Sequence, residues 1–87
     1  MLICEVVGHV WATKKEESLS GLKLMVVTPV GEHRKDKESS LVAADIVGAG
    51  IGEKVLVVSG STARKAFGND NVPVDAAIVG IIDSIEG

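Results

Sequence analysis

The sequence predicts a mostly β fold: a small antiparallel, OB-like barrel of five strands with one short helix. Three observations lead there. Apolar residues make up 46% of the 87-residue chain, and nearly all are aliphatic, with one Trp, one Phe and no Tyr; a bias to Val and Ile suits strands packed on strands. These residues fall into five short segments bounded by turn signals. The link between the third and fourth segments, GAGIGE, is far too short for a parallel crossover, which needs about a dozen residues. Most of the sheet is therefore antiparallel, and closing it into a barrel removes the unpaired edges that a small open sheet would expose.

The segments follow in order. Residues 2–13, LICEVVGHVWAT, alternate: Leu2, Cys4, Val6, Val10 and Ala12 make one apolar face, while the other mixes Glu5 and His9 with Ile3, Val7 and Trp11. Gly8 inside this run predicts a bulge or sharp bend. KKEESLSG reads as a solvated turn, and residues 22–30 form the second strand, with Pro29 marking its end or an edge. Residues 31–40, GEHRKDKESS, form a charged loop. The third strand covers 41–47 and the fourth 54–59. STARKAF, 61–67, reads as a helix of about two turns, with Ser59 or Ser61 as its N-cap and Gly68 as its C-cap. GNDNVP breaks the chain, and the last strand covers 76–85. The whole chain, 1–87, reads as one domain without repeats or linkers.

Size and charge narrow the function. A domain this short buries only about 60% of the surface its unfolded chain exposes. Its aliphatic content exceeds what so thin a core can hold, which points to burial against other subunits. The net charge is −3 and the pI near 5.2, the wrong sign for a nucleic-acid surface. A single cysteine, Cys4, cannot form an intrachain disulfide, and Met1 leads into LICEVVGH without a basic n-region. No apolar run reaches the ~18 residues of a membrane span. The expectation is a cytoplasmic protein with no membrane association.

Gly48, Gly50 and Gly52 invite a phosphate-binding reading. The dinucleotide fingerprint is G-x-G-x-x-G opening a helix. Here the spacing is G-x-G-x-G, and EKVLVVSG, a strand, follows. Without a helix N-terminus there is no cluster of aligned amides for a pyrophosphate, and no Walker loop is present. The remaining reading is structural: a loop that is bent and thin, of the kind found where backbones converge around a symmetry axis, with a plain tight turn as the simpler alternative.

No other cluster supports chemistry. SGSTAR is not a nucleophile elbow, and neither histidine is near it in sequence. Asp45, Asp75 and Asp83 lie in or beside apolar strands, where carboxylates more often hold backbone amides than act as an acid–base pair. His33 with Glu32 and Asp36 falls in the charged loop, without the defined geometry a metal site needs. The expectation is no enzyme, no cofactor and no metal. From the residues alone the rival is an OB-like module for nucleic acid or a small ligand, although the two aromatics and the acidic balance suit base stacking poorly.

Taken together, VVGHVWATKK, LSGLKLMVV, AADIVGAGIGEKVLVVSGSTAR and PVDAAIVGIID resemble the EutN/CcmL family of pentameric vertex proteins from bacterial microcompartment shells. The resemblance runs over nearly the whole chain and is most specific from Ala43 to Arg64. The departures are the charged loop and the end at Gly87, which lacks the tail some members carry. The resemblance implies a barrel that assembles as a homopentamer with itself, fills the vertices of a shell and adjoins hexameric shell proteins. It implies no nucleic acid, no membrane and no reaction. It also implies that Gly48, Ala49 and Gly50 lie near the five-fold axis, bordering a narrow pore. Ser59, Gly60, Ser61, Ala63 and Arg64 would then lie at or near a subunit interface, with Asp45 and Asp75 holding local backbone.

Overall fold

A computed structural model describes residues 1–11, 17–19, 21–31, 40–66, 68 and 73–86. Five strands are present: β1 (Leu2–His9), β2 (Lys23–Pro29), β3 (Leu41–Asp45), β4 (Lys54–Ser59) and β5 (Ala76–Ile81). A 3-10 turn (Glu17–Leu19) precedes β2, and helix α1 (Ser61–Ala66) follows β4. The strands close in the order β1-β2-β3-β5-β4. Four of the five seams are antiparallel; the short GAGIGE link joins β3 and β4, which flank β5 and do not pair with each other. The fifth, β3 to β5, is parallel, with Ala44 opposite Ala77 and Asp45 opposite Ile78. The barrel is therefore mixed. The chain between these two strands contains β4 and α1, which supply the long crossover a parallel pair needs.

Alternation decides what fills the interior. Cys4 and Val6 from β1, Met25 and Val27 from β2, Ala43 from β3, Val55 and Val57 from β4, and Ala76 and Ile78 from β5 make one buried cluster. Cross-strand partners share a face, so Val6 opposite Val27 and Val57 opposite Ile78 point inward together. Among the described residues no aromatic ring belongs to this cluster. A five-stranded barrel is narrow, and Val, Ala and one Met fill most of it.

The outer surface is covered unevenly. Helix α1 lies over β4 and β5, packing Ala63 on Val58, Ala77 and Val79. Leu19, Leu22 and Leu24 gather with Ala44 and Val74 over part of β2 and β3. Val7 and Val42, on the outer side of β1 and β3, stay about half exposed.

The register of β1 against β2 slips between Val6 and Gly8, the bulge the sequence predicts at Gly8. Other boundaries are shorter than expected. β5 ends at Ile81 because β4 begins at Lys54; after the Ile82 amide donates to the Lys54 carbonyl (2.9 Å), no strand remains to pair with. β1 ends at His9, and the Val10 amide continues the ladder one step, to the Leu24 carbonyl at 2.9 Å. Helix α1 starts through backbone rather than a serine cap: Gly60 accepts from the Ala63 amide at 3.1 Å and donates to the Asp75 carbonyl at 2.7 Å. Ser59 and Ser61 are exposed, and the expected serine cap gives way to this backbone arrangement. At the other end Gly68 caps as expected, its amide donating to the Lys65 carbonyl at 3.0 Å. Arg64 and Lys65 occupy the last turn, where positive charge suits the helix dipole.

Candidate functional site: the loop between β3 and β4

The glycine-rich loop crosses one end of the barrel from β3 to β4. Asp45, the last residue of β3, organises it. One carboxylate oxygen, Oδ1, accepts from the amides of Val47 (2.9 Å) and Gly48 (3.0 Å); the other, Oδ2, accepts from Ala49 at 2.7 Å. An aspartate binding the amides two to four residues ahead stops a strand and turns the chain. This is why β3 ends at Asp45 and not at the predicted Val47.

Lys23, opposite Asp45 in the β2–β3 ladder, completes the arrangement. Its Nζ lies 3.2 Å from Asp45 Oδ2 and donates to the Ala49 carbonyl at 2.6 Å. The Asp45 side chain is fully covered, whereas that of Lys23 is 41% exposed. The last part of the loop is tied by a second carboxylate and by β1. Glu53 Oε1 accepts from the Gly50 amide at 2.6 Å, the Gly52 amide donates to the Val6 carbonyl at 2.8 Å, and the Val6 amide donates to the Glu53 carbonyl at 2.9 Å.

Glycine is required at two of the loop positions. Gly48 has φ +83° and Gly52 φ +92°, a region that side-chain-bearing residues rarely adopt. Between them Ala49 is fully buried and joins the barrel's own core cluster. Its methyl group plugs the barrel end, which gives the small residue an intramolecular reason that sequence spacing alone does not reveal.

Burial by itself raises the pKa of Asp45. The amide of Val47, the Lys23 ammonium and the amides of Ala49 and Gly48 outweigh it and hold the carboxyl below the ordinary aspartate range. A carboxyl whose pKa is lowered by folding stabilises the protein at pH values above its unfolded pKa, about 3.9. That contribution is lost as pH falls through the folded value. The melting temperature is therefore expected to fall as pH is lowered below about 4. In Asp45→Asn the decline over the same range should be shallower, as paired thermal melts would show.

The other predicted residues take different places. Asp75 is exposed and holds Gly60 through its carbonyl, not its carboxylate. Ala63 is buried on the inner side of α1, and Arg64 is half-buried; among the described residues the ion pair is Lys23–Asp45. Ser59, Gly60 and Ser61 lie exposed where β4 passes into α1, at the far end of β4 from the glycine loop. The structure thus separates the two predicted groups rather than joining them into one pocket. Glu32, His33 and Asp36 of the charged loop lie outside the described residues.

Lys23 is the residue that sequence reading missed. A lysine opening an amphipathic strand looks like ordinary solvent-facing charge, and only the β2–β3 register brings it to Asp45 and Ala49. A shallow groove outside β1 and β2, lined by Glu5, Val7, Thr28, Pro29 and Ser40 among others, contains one carboxylate and no nucleophile–base pair among the described residues. Within it Thr28 Oγ1 and Ser40 Oγ are hydrogen-bonded at 2.7 Å.

A narrow, side-chain-filled barrel with a braced loop and partly covered aliphatic flanks defines a structural building block. The family model described as "Ethanolamine utilisation protein EutN/carboxysome" matches residues 1–83. The chain is 48% identical to the bacterial microcompartment shell vertex protein GrpN of Rhodospirillum rubrum (strain F11), over 99% of this chain and 97% of that one. It is 45% identical to the carboxysome shell vertex protein CcmL of Synechocystis sp. (strain ATCC 27184 / PCC 6803 / Kazusa), over 98% of this chain and 85% of that one. The solved structure of the R. rubrum GrpN pentameric microcompartment shell protein superposes with a TM-score of 0.85 at 45% identity, covering 100% of this chain and 99% of that chain. The chain belongs to the EutN/CcmL family of shell vertex proteins, structural components of bacterial microcompartment and carboxysome shells.

Proposed function

We propose that this chain assembles as a homopentamer that occupies the vertices of a microcompartment shell and closes a shell built of hexameric tiles. The single observation that carries this reading is the whole-chain match to GrpN, a pentameric shell protein. Physical geometry supports the rest: hexagonal tiles alone form flat sheets, and pentagonal units force the sheet to close. A closed five-fold ring uses head-to-tail contacts, so each copy needs two different surfaces. In this reading Gly48 and Gly50 border the five-fold axis, with Ala49 between them turned into the barrel core, and Ser59, Gly60, Ser61 and Arg64 lie at or near a subunit boundary, with Ala63 beneath them packed on the chain's own strands.

Sedimentation velocity at micromolar concentration tests the ring, with one pentameric species expected; a stable monomer or dimer would overturn it. Gly50→Trp tests the placement of the loop. A Cβ at Gly50 comes within 3.3 Å of Glu53 Oε1, so a bulky side chain there has to push aside the carboxylate that braces the loop. The variant is expected to fail to form the ring or to occlude its axis. An unaltered pentamer with an open axis in an electron-microscopy map would move the loop elsewhere.

A further inference from the structure

The groove outside β1 and β2 has a volume of about 470 Å³, and a row of polar side chains crosses it. Glu5 on β1 stands opposite Thr28 on β2, so both project from the same face, the outer one. Thr28 Oγ1 is hydrogen-bonded to Ser40 Oγ at 2.7 Å, which carries the row to the start of β3. Apolar groups flank the row, Val7 on one side and Pro29 and Val30 on the other. Val7 is 46% exposed. Glu5 brings the one formal charge among these lining residues. Lys54 is opposite Glu5 in the β1–β4 ladder, yet among the described residues the two make no ion pair.

We propose that this groove receives an arginine side chain of another protein, with aliphatic residues beside that arginine packing on Val7 and Val30. The chemistry of the lining selects this occupant. An anion would meet the Glu5 carboxylate and find few donors: Pro29 has no N–H, and the Val30 amide already donates to the Ile3 carbonyl at 3.0 Å. A purely apolar occupant would strip water from the carboxylate and return nothing. A guanidinium answers both. Its fork meets Glu5 through two parallel N–H bonds and keeps further N–H groups for the Thr28 and Ser40 hydroxyls. Its aliphatic stem suits Val7. A lysine ammonium offers the same charge without the planar fork. The groove is shallow, so it suits a side chain held by a larger partner. A free small molecule needs a site that buries about 70–90% of its surface. At net −3, the chain as a whole attracts a basic partner. The groove is built within one chain, so it does not depend on the ring.

The test is a chemical-shift titration of the methyl-labelled protein, in whatever assembly it forms, with acetyl-Leu-Arg-Leu-amide as the probe. Saturable shifts at Val7 and Val30 are expected, with a Kd of ~1 mM or tighter. Glu5→Gln should weaken binding at least ~10-fold, the scale of a hydrogen bond to a charged group. The lysine and glutamate analogues of the peptide should bind more weakly or not at all. The absence of saturable shifts, equal binding by either analogue, or equal binding to Glu5→Gln would overturn the proposal. So would a changed ring stability of Glu5→Gln in sedimentation, which would give the groove to a second copy of this chain. An Arg34→Ser/Lys35→Ser variant that binds the peptide more than about tenfold tighter would give it to the chain's own cations and also overturn the proposal. Should Glu5→Gln fail to fold, the wild type decides. Its affinity for the arginine peptide should fall as salt rises from about 50 to 300 mM, and an unchanged affinity overturns the proposal.

Discussion

Asp45→Ala is expected to lower stability by about 3 kcal/mol, the upper end of the range for hydrogen bonds to a charged group. The carboxylate removed here holds the amides of Val47, Gly48 and Ala49 and faces the Lys23 ammonium. Its loss frees all three amides and leaves Lys23 only the Ala49 carbonyl. The loop then drifts, and Ala49 withdraws from the barrel end. For a chain of this length each 1 kcal/mol moves the melting temperature by about 4–8 °C, so a drop of more than about 10 °C is expected. Asp45→Asn keeps an acceptor but loses the charge, and its melting temperature should fall between those of wild type and Asp45→Ala. Melts of all three at one protein concentration give the order, and an Asp45→Ala variant as stable as wild type would remove Asp45 from its role as organiser of the loop.

Ile78→Ala is expected to cost about 3–4 kcal/mol, within the range for large-to-small changes at fully buried positions. Ile78 is among the largest fully buried side chains, and it packs in the interior opposite Val57. The narrow barrel is walled by hydrogen-bonded strands, so it has little freedom to collapse into the space vacated. A domain of this size has a total stability of roughly 4–13 kcal/mol, so the variant loses a large part of its margin. Urea titration at fixed concentration is the appropriate measurement, because assembly would add to the apparent stability. A loss below about 1 kcal/mol, under the usual range for such truncations, would mean that the interior is more plastic than its packing indicates.

These two variants probe different parts of one design. Ile78 belongs to the barrel, which can be understood from one chain alone. Asp45 belongs to the loop, whose turn depends on the amides of Val47, Gly48 and Ala49 that its carboxylate holds.

Much of this protein was legible in the residues themselves. Alternation in LICEVV puts Cys4 and Val6 on one apolar face, which turns inward, whereas KLMVV and KVLVVS are apolar on both faces and only closure of the barrel turns Met25, Val27, Val55 and Val57 inward. The short GAGIGE link excludes a parallel β3–β4 pair, and the strand after it excludes a phosphate loop. The bulge at Gly8 and the cap at Gly68 follow from local backbone chemistry. Other features depended on closure of the barrel. Which strands become neighbours is a non-local outcome, and so the parallel β3–β5 seam, the early ends of β1 and β5, and the meeting of Lys23 with Asp45 emerged only in three dimensions. The role of Ala49 is of the same kind: a small residue between two glycines reads as slack in the sequence, but the closed barrel turns it into a plug, because the loop that carries it is drawn across the barrel end by a carboxylate whose partners no spacing rule specifies.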